Sequence, residues 1–460
     1  MADPLPSADP GSLAARLARG PYEAYSYSYP HKSAYRPLDA PQPLAPLWAA
    51  EDRRALFGYV HVPFCTMRCG FCNLFAMAQP EPGLVDAYVA ALLRQMRAMD
   101  AVLGERRFAR FAIGGGTPTY LSPAQLATVL EGARRVLGIE PHALPSSIEC
   151  SPETVTRERL AVCRDAGIAR VSMGIQSFSD AETRTLARPQ QNAVVAAAIA
   201  EIRRAGFPVM NLDLIYGIAG QTPASLLASI DSALAFAPEE LYLYPLYVRE
   251  ATGLGRLAIR RADAPAADHR AGLYALARDR LRAAGYEQVS MRMFRAPHAP
   301  AEAGPVYCCQ DDGMVGLGAG ARSYTSALHY SGGYAVERAA TRDLVRDFVE
   351  LDEPDFASAR HGFALDVDER RRRYLVQSLL TRPGLRHDGY AARFGRPPRA
   401  DFPALDELLA LGLAQDDGEL LSLTEHGLAC SDSIGPWLAS PRVRALMAGG
   451  AGHEAADASC

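Results

Sequence analysis

An α/β fold built on a parallel sheet wound in one hand, either left open or curled into part of a barrel, is what this sequence predicts. Two observations carry the prediction. Between residues 55 and 250, six short β-rich runs alternate with longer helical stretches, the pattern of strand–helix–strand units whose crossovers keep one hand. The residues just past each run are polar or glycine-rich, as in folds that gather their chemistry at the carboxyl ends of parallel strands.

In chain order the strand candidates are Phe57 to Val62, Arg110 to Gly114, Ser147 to Cys150, Arg170 to Ile175, Val209 to Ile215 and Leu241 to Tyr247. The stretches between them, Leu84 to Leu103, Pro123 to Leu137, Arg157 to Ala166, Ala193 to Ala205 and Pro223 to Phe236, are amphipathic or rich in Ala and Leu and read as helices. With 460 residues, 49% hydrophobic and 22% charged, the chain can form two or three domains with a substantial core. A net charge of −4 gives no basic footprint for nucleic acid. The start, Met1-Ala-Asp-Pro-Leu-Pro-Ser7, lacks a basic n-region followed by an apolar run, and no apolar stretch of membrane-spanning length occurs. The expectation is therefore a soluble, reducing, cytoplasmic setting.

The loop after the first strand is the most specific feature. Cys65, Cys69 and Cys72 stand in C-x3-C-x2-C spacing within Tyr59-Val-His-Val-Pro-Phe-Cys-Thr-Met-Arg-Cys-Gly-Phe-Cys72. Three thiolates on one short loop can each hold one iron of a [4Fe-4S] cube, which leaves one iron open for a small molecule where the usual complement is four cysteines. Structural zinc asks for four N or S ligands, and the nearest spare, His61, lies in the strand itself. Nine cysteines in 460 residues are too sparse for a disulfide scaffold, and Cys150, Cys163, Cys308, Cys309, Cys430 and Cys460 show no paired spacing.

Past the second strand comes Gly114-Gly-Gly-Thr-Pro-Thr119, whose glycines let backbone approach a ligand and whose Thr117 offers a hydroxyl. The third strand ends at Glu149, the fourth at Gln176, and the fifth carries Asp213 between Leu212 and Leu214. A carboxylate in a buried strand needs a partner, and Arg188 is the candidate.

The cysteine loop resembles the signature of radical S-adenosylmethionine (SAM) enzymes. In that family the open iron chelates SAM, and one electron from the cluster cleaves the sulfonium to a 5′-deoxyadenosyl radical, chemistry the cofactor carries. Tyr59, His61, Pro63 and Phe64 before Cys65, then Gly-Gly-Gly-Thr-Pro-Thr, Gly174-Ile-Gln-Ser-Phe178 and Asp213-Leu-Ile-Tyr-Gly217, are similar to one branch. That branch holds the oxygen-independent coproporphyrinogen III oxidases and related heme chaperones. The resemblance implies a partial (β/α)6 barrel, with Tyr59, Gly115, Gly116, Thr117, Glu149, Gln176, Arg188 and Asp213 as the positions that hold SAM. It also implies an electron donor such as flavodoxin or ferredoxin, and one SAM, or two as in some relatives. Leu74 stands where the oxidases carry a further cysteine, a departure from their pattern that points to a side branch.

The resemblance extends past the barrel. Gly316-Leu-Gly-Ala-Gly-Ala321 is similar to a glycine-rich strand of the branch, and residues 370 to 430 to its C-terminal winged-helix-like domain. Helices are expected at Arg371 to Leu380, Tyr390 to Phe394 and Phe402 to Leu411, with a wing at Leu420 to Gly427. The run Arg370 to Arg373 reads as a solvated helix face and not a phosphate grip. The domains implied are an N-terminal arm, partly disordered and Tyr-rich (1–54), the barrel (55–250), a connecting extension (251–360), the C-terminal domain (361–445) and a disordered tail (446–460). Within the arm, residues 1 to 15 read as disordered. Pro21 to Pro37 then packs five tyrosines among His31, Lys32 and Arg36, too many aromatics for a disordered coil. Two readings stand open: an arm over the barrel mouth, with tyrosines on a flat substrate and Lys32 and Arg36 on its carboxylates, or packing against the barrel's helices.

The function implied is reductive SAM cleavage and hydrogen abstraction from a small molecule, a tetrapyrrole first. The alternatives are a radical methyltransferase or cyclopropane-forming enzyme, and a heme chaperone without turnover, for which His31, His298 and His329 are the histidines to inspect.

Overall fold

Residues 11–261 and 268–456 are described in the computed structural model. Local signals set the helices. Ser122, Thr156 and Thr222 each accept a hydrogen bond from the amide three residues on and open the helices Pro123–Leu137, Arg157–Asp165 and Pro223–Leu234. Gly138 and Gly206, with φ of +71° and +74°, close Pro123–Leu137 and Asn192–Ala205.

Thirteen strands form one sheet. They are β1 (Arg36–Pro43), β2 (Leu56–Val62), β3 (Phe108–Gly115), β4 (Ser146–Cys150), β5 (Arg170–Gln176), β6 (Val209–Tyr216), β7 (Glu240–Pro245), β8 (Glu287–Gln288), β9 (Met293–Arg295), β10 (Met314–Leu317), β11 (Arg322–Tyr324), β12 (Leu328–Ser331) and β13 (Ser358–Ala364). The order is β1-β13-β12-β11-β10-β2-β3-β4-β5-β6-β7-β9-β8. The six expected strands, β2 to β7, run parallel and side by side, and β10 adds a seventh parallel strand beside β2. The two edges, β1 and β8, do not pair, so the barrel stays partial. The sixth helix, Arg270–Ala283, packs on Pro223–Leu234 and lies beyond residue 250.

Alternation along the strands sorts the two faces. Val60, Val62, Phe111, Ile113, Ile148, Val171, Met173, Leu212, Leu214, Leu241 and Leu243 are buried under the helices. Tyr59, His61, Glu149, Asp213 and Tyr242 take the opposite, inner face.

Several expectations are corrected. Leu13–Leu17 is a helix with Leu13 fully buried, so disorder does not extend through residue 15; residues 1–10 lie outside the described residues. Arg36–Pro43 is an edge strand despite three prolines, because an edge tolerates missing N–H donors. Residues 446–456 continue the helix Pro441–Ala456 where a disordered tail is expected, and 457–460 lie outside the described residues. Gly316–Ala321 is strand only as far as Leu317; Gly318 and Gly320, at φ +97° and +84°, turn the chain back into β11.

In the C-terminal domain the first helix is Val367–Leu379, opened by Asp366, which accepts from the amide of Glu369. The hairpin Ala414–Asp416 with Leu420–Leu423 is the wing, whereas Thr424 caps a helix, Glu425–Ala429, where the sequence suggests the wing's turn. The arginine run is not a solvated face: Arg373 is buried, Arg372 donates to Asp368 at 2.7 Å and Arg371 lies 3.4 Å from Asp401. Leu13, Tyr29, Ala34 and Tyr35 of the arm share a second core with Leu375, Leu379 and Trp437. Among the described residues no helix is long and apolar enough to cross a membrane.

Candidate radical site in the barrel mouth

The cysteine loop leaves β2 at Pro63. Phe64–Cys65 pairs in parallel with Met77–Ala78, which folds the loop back on itself. The amide of Gly70 donates to Leu186 O at 2.9 Å and its carbonyl accepts from Leu254 N at 2.8 Å, fixing the middle of the loop to neighbouring segments. All eight cysteines among the described residues are free thiols, and Cys460 lies outside them. No three His, Cys, Asp or Glu side chains among the described residues converge on one point; a cube that gives each thiol its own iron asks only that the thiols border a common space.

The glycine loop after β3 abuts the cysteines. Gly116 N donates to Val62 O and Thr117 N to Phe64 O, both at 2.8 Å. A Cβ on Gly116 would lie 2.8 Å from Cys65 Sγ, so only glycine lets this backbone pass the thiol. Gly115 has φ +118°, and a Cβ there would strike the His61 ring at 2.8 Å. The Thr117 hydroxyl donates to Cys65 Sγ at 3.6 Å.

His61 Nε2 faces the Phe75 carbonyl at 2.9 Å and so carries the proton; Nδ1 then accepts from the Tyr59 hydroxyl at 3.3 Å. Burial holds the His61 pKa down at about 4, which keeps this link neutral. Burial pushes the Cys65 thiol up to about 12.

Two carboxyls look into the barrel. Glu149 Oε2 accepts from Gly115 N at 3.1 Å, and burial, with Asp213 adding its charge, pushes its pKa up to about 7. The side chain is exposed on the inner face of the sheet yet closely surrounded by protein. Burial pushes Asp213 up to about 6, against the hydrogen bond from Asn211 Nδ2 at 2.7 Å. The sequence suggests Arg188 as the partner of Asp213; its charge bears on that carboxyl, but its hydrogen bonds go elsewhere. It donates to Cys69 Sγ at 3.3 Å and to Gly174 O at 2.7 Å, placing its charge at the cysteine loop. Gln176 sits at φ +71°, a left-handed conformation unusual for glutamine and typical of residues held at sites. Its Nε2 folds over Gly174, 2.6 Å from where a Cβ would be.

The arm crosses this mouth. Tyr22 meets Tyr216, the last residue of β6, edge-on at 6.2 Å, and Tyr25 meets Tyr244 of β7 at 6.4 Å. The Arg292 guanidinium lies 3.6 Å from the Tyr25 ring centroid, and Tyr27 accepts from Arg322 at 2.6 Å. Tyr25 and Tyr27 remain 36% and 37% exposed while burial pushes both hydroxyl pKa values up. Lys32 Nζ lies over the Tyr334 ring at 3.3 Å. Arg36 does not face the cavity: it donates to Ser33 O, Tyr35 O and Leu446 O. Sequence reasoning missed Asn211, Arg292 and Arg322, which lie in no recognised motif.

Comparison with known proteins agrees with this architecture. Residues 59–233 match the radical SAM superfamily and residues 365–430 the HemN C-terminal domain. The heme chaperone HemW of Mycobacterium tuberculosis is 32% identical over 386 residues, covering 82% of this chain and 93% of that protein. HemW of Bacillus subtilis is 28% identical, covering 82% and 97%. The oxygen-independent coproporphyrinogen III oxidase of Pseudomonas aeruginosa is 26% identical, covering 82% and 84%. The solved coproporphyrinogen III oxidase of Escherichia coli superposes with a TM-score of 0.76 over 90% of this chain and 97% of that one, at 23% identity, and shows the shared fold. The superfamily uses a [4Fe-4S] cluster and SAM, and the three soft thiols beside a side-chain-free glycine cradle fit such a pair. This chain thus belongs to the radical SAM superfamily, in the branch of the oxygen-independent coproporphyrinogen III oxidases and heme chaperones.

Proposed function

We propose that this protein cleaves SAM reductively and abstracts hydrogen from a tetrapyrrole bound in the barrel, coproporphyrinogen III first among the candidates. The observation that carries the reading is that the cysteine loop and the tyrosines of the arm both lie at the carboxyl ends of the barrel strands. When bound, the cluster and SAM supply one-electron cleavage of the sulfonium and with it hydrogen abstraction from carbon. Cys65, Cys69 and Cys72 would hold the irons. Gly115, Gly116 and Thr117 would let SAM approach the thiols, Arg188 brings positive charge to the cysteine loop, and Glu149, Gln176 and Asp213 would offer polar contacts to its amino, carboxylate and ribose groups. Tyr59, locked through His61, lines the same space.

The test is anaerobic incubation of the reconstituted protein with reductant, SAM and coproporphyrinogen III. The expected result is carbon dioxide release and a vinyl product; a tetrapyrrole recovered unchanged would overturn this substrate. A heme-chaperone reading is favoured by the HemW relatives. It predicts tight heme binding, with a Soret shift, and no substrate-dependent SAM consumption.

A further inference from the structure

The cysteine loop also meets solvent. Thr66, Asn73 and Leu74 are exposed there, Leu74 by 48%. Two later segments close on the loop. The helix Gly253–Arg261 begins against it, so near that a Cβ on Gly253 would lie 3.4 Å from the Gly70 Cα. The Tyr334 hydroxyl donates to Asn73 O at 2.8 Å and Arg68 donates to Val336 O, which brings the start of the helix Arg338–Glu350 up to the loop as well.

Arginines gather on the surface these segments share. Arg256 and Arg338 are exposed, and both stand near enough for their charges to bear on Arg68, inside the C-x3-C-x2-C segment itself. None of the three forms an ion pair among the described residues; Arg68 and Arg256 donate to backbone carbonyls. The carboxylates at hand are Glu250 and Glu337, exposed in the flanking segments, and Glu81, which Arg346 holds at 2.6 Å. A lone exposed leucine or arginine needs no explanation. Their meeting on the loop that carries the cluster thiols, in a chain whose net charge is −4, has the make-up of a docking face, an apolar contact beside a charged rim.

The reductive cleavage proposed above needs one electron delivered to the cluster from outside the chain. Electron transfer falls steeply with distance, so the donor's redox centre must come to the loop. We propose that the donor docks on this face and is an acidic one-electron carrier protein, with Leu74 against its apolar surface and Arg68, Arg256 and Arg338 opposite its carboxylates. In the exchange the carrier is oxidised by one electron and the cluster reduced by one, with no group transferred. The proposal rests on the reading that this protein cleaves SAM.

A flavodoxin with its NADPH-dependent reductase is the probe, beside dithionite, which needs no docking. Wild type is compared with Arg256→Glu/Arg338→Glu and with Arg135→Glu/Arg204→Glu. The second variant makes the same charge change at the far end of the barrel, where the helices Pro123–Leu137 and Asn192–Ala205 finish. All are reconstituted at full length, with iron content and circular dichroism confirming each fold. Two quantities are read: flavodoxin affinity, by calorimetry at low and raised salt, and 5′-deoxyadenosine formed with either reductant. The expected result is affinity that falls about tenfold or more in Arg256→Glu/Arg338→Glu, and with salt in wild type, while Arg135→Glu/Arg204→Glu stays within about twofold. Flavodoxin-driven product falls in step, and dithionite-driven product does not change. Equal affinity in wild type and Arg256→Glu/Arg338→Glu, an equal loss in Arg135→Glu/Arg204→Glu, no binding by wild type, or a matching loss with dithionite would overturn the docking face. If dithionite yields no 5′-deoxyadenosine from wild type, the SAM reading fails, and the affinity comparison alone upholds or overturns the face.

Discussion

The two walls of the barrel mouth are built on opposite terms. On the cysteine-loop side the groups are fixed by near neighbours: glycine amides on strand carbonyls, Thr117 and Arg188 on cysteine sulfurs, Tyr59 on His61. On the far side, Tyr25, Tyr27, Arg292 and Arg322 come from segments far apart in the chain. The first wall is held by loops that follow the barrel strands; the second is assembled by the arm and by strand register.

The largest effect expected is at the first wall. Replacing Cys65, Cys69 and Cys72 together by alanine should abolish cluster iron and brown colour after anaerobic reconstitution, with a circular dichroism spectrum close to wild type. Gly116→Ala should follow, because its Cβ must displace Cys65 Sγ or the Phe64 carbonyl. We expect SAM cleavage about 10- to 100-fold slower, measured as 5′-deoxyadenosine formed per cluster. If that variant cleaves SAM at the wild-type rate, the close approach has no functional meaning.

At the far wall, Arg292 donates to Asp432 in a pair exposed by only 4% and 1%, and Tyr247 donates to the same carboxylate at 2.6 Å. Asp432→Ala should leave Arg292 buried and unpaired and cost about 3–5 kcal/mol, seen as an earlier midpoint in urea. Replacing Arg292 and Asp432 together by Met and Leu should recover much of that loss.

The smallest effect is a slope. Glu149 is raised from its ordinary 4.5 to about 7, so the native state holds its proton more tightly than the unfolded chain does. Its favourable contribution is fully present below pH 4.5 and is lost as pH rises to about 7. The wild-type melting midpoint should therefore fall relative to that of Glu149→Gln across this window; parallel curves would contradict the burial of the carboxyl.

The sequence was most legible where chemistry and backbone share a short segment. β2 to β7 and their helices were readable within a few residues, since alternation and helical periodicity are local signals, and the cysteine and glycine loops declare themselves by spacing. The far wall was hidden because register creates it. Nothing near Tyr324 or His329 in sequence says that β11 and β12 set them side by side, or that Arg373 of the C-terminal domain reaches the same ring. Arg36–Pro43 escaped notice because three prolines argue against a strand until one knows it lies at an edge. Arg188 reaches Asp213 through its charge and not through a hydrogen bond, because Asn211, two residues away on the same strand face, already donates to Asp213.

The most direct test of the central claim is the yield of 5′-deoxyadenosine from SAM after anaerobic reconstitution and reduction with dithionite, with and without coproporphyrinogen III. The account predicts product that needs all three loop cysteines and increases with the porphyrinogen. A fully loaded cluster that leaves SAM intact, or equal product from the triple-alanine protein, would contradict it.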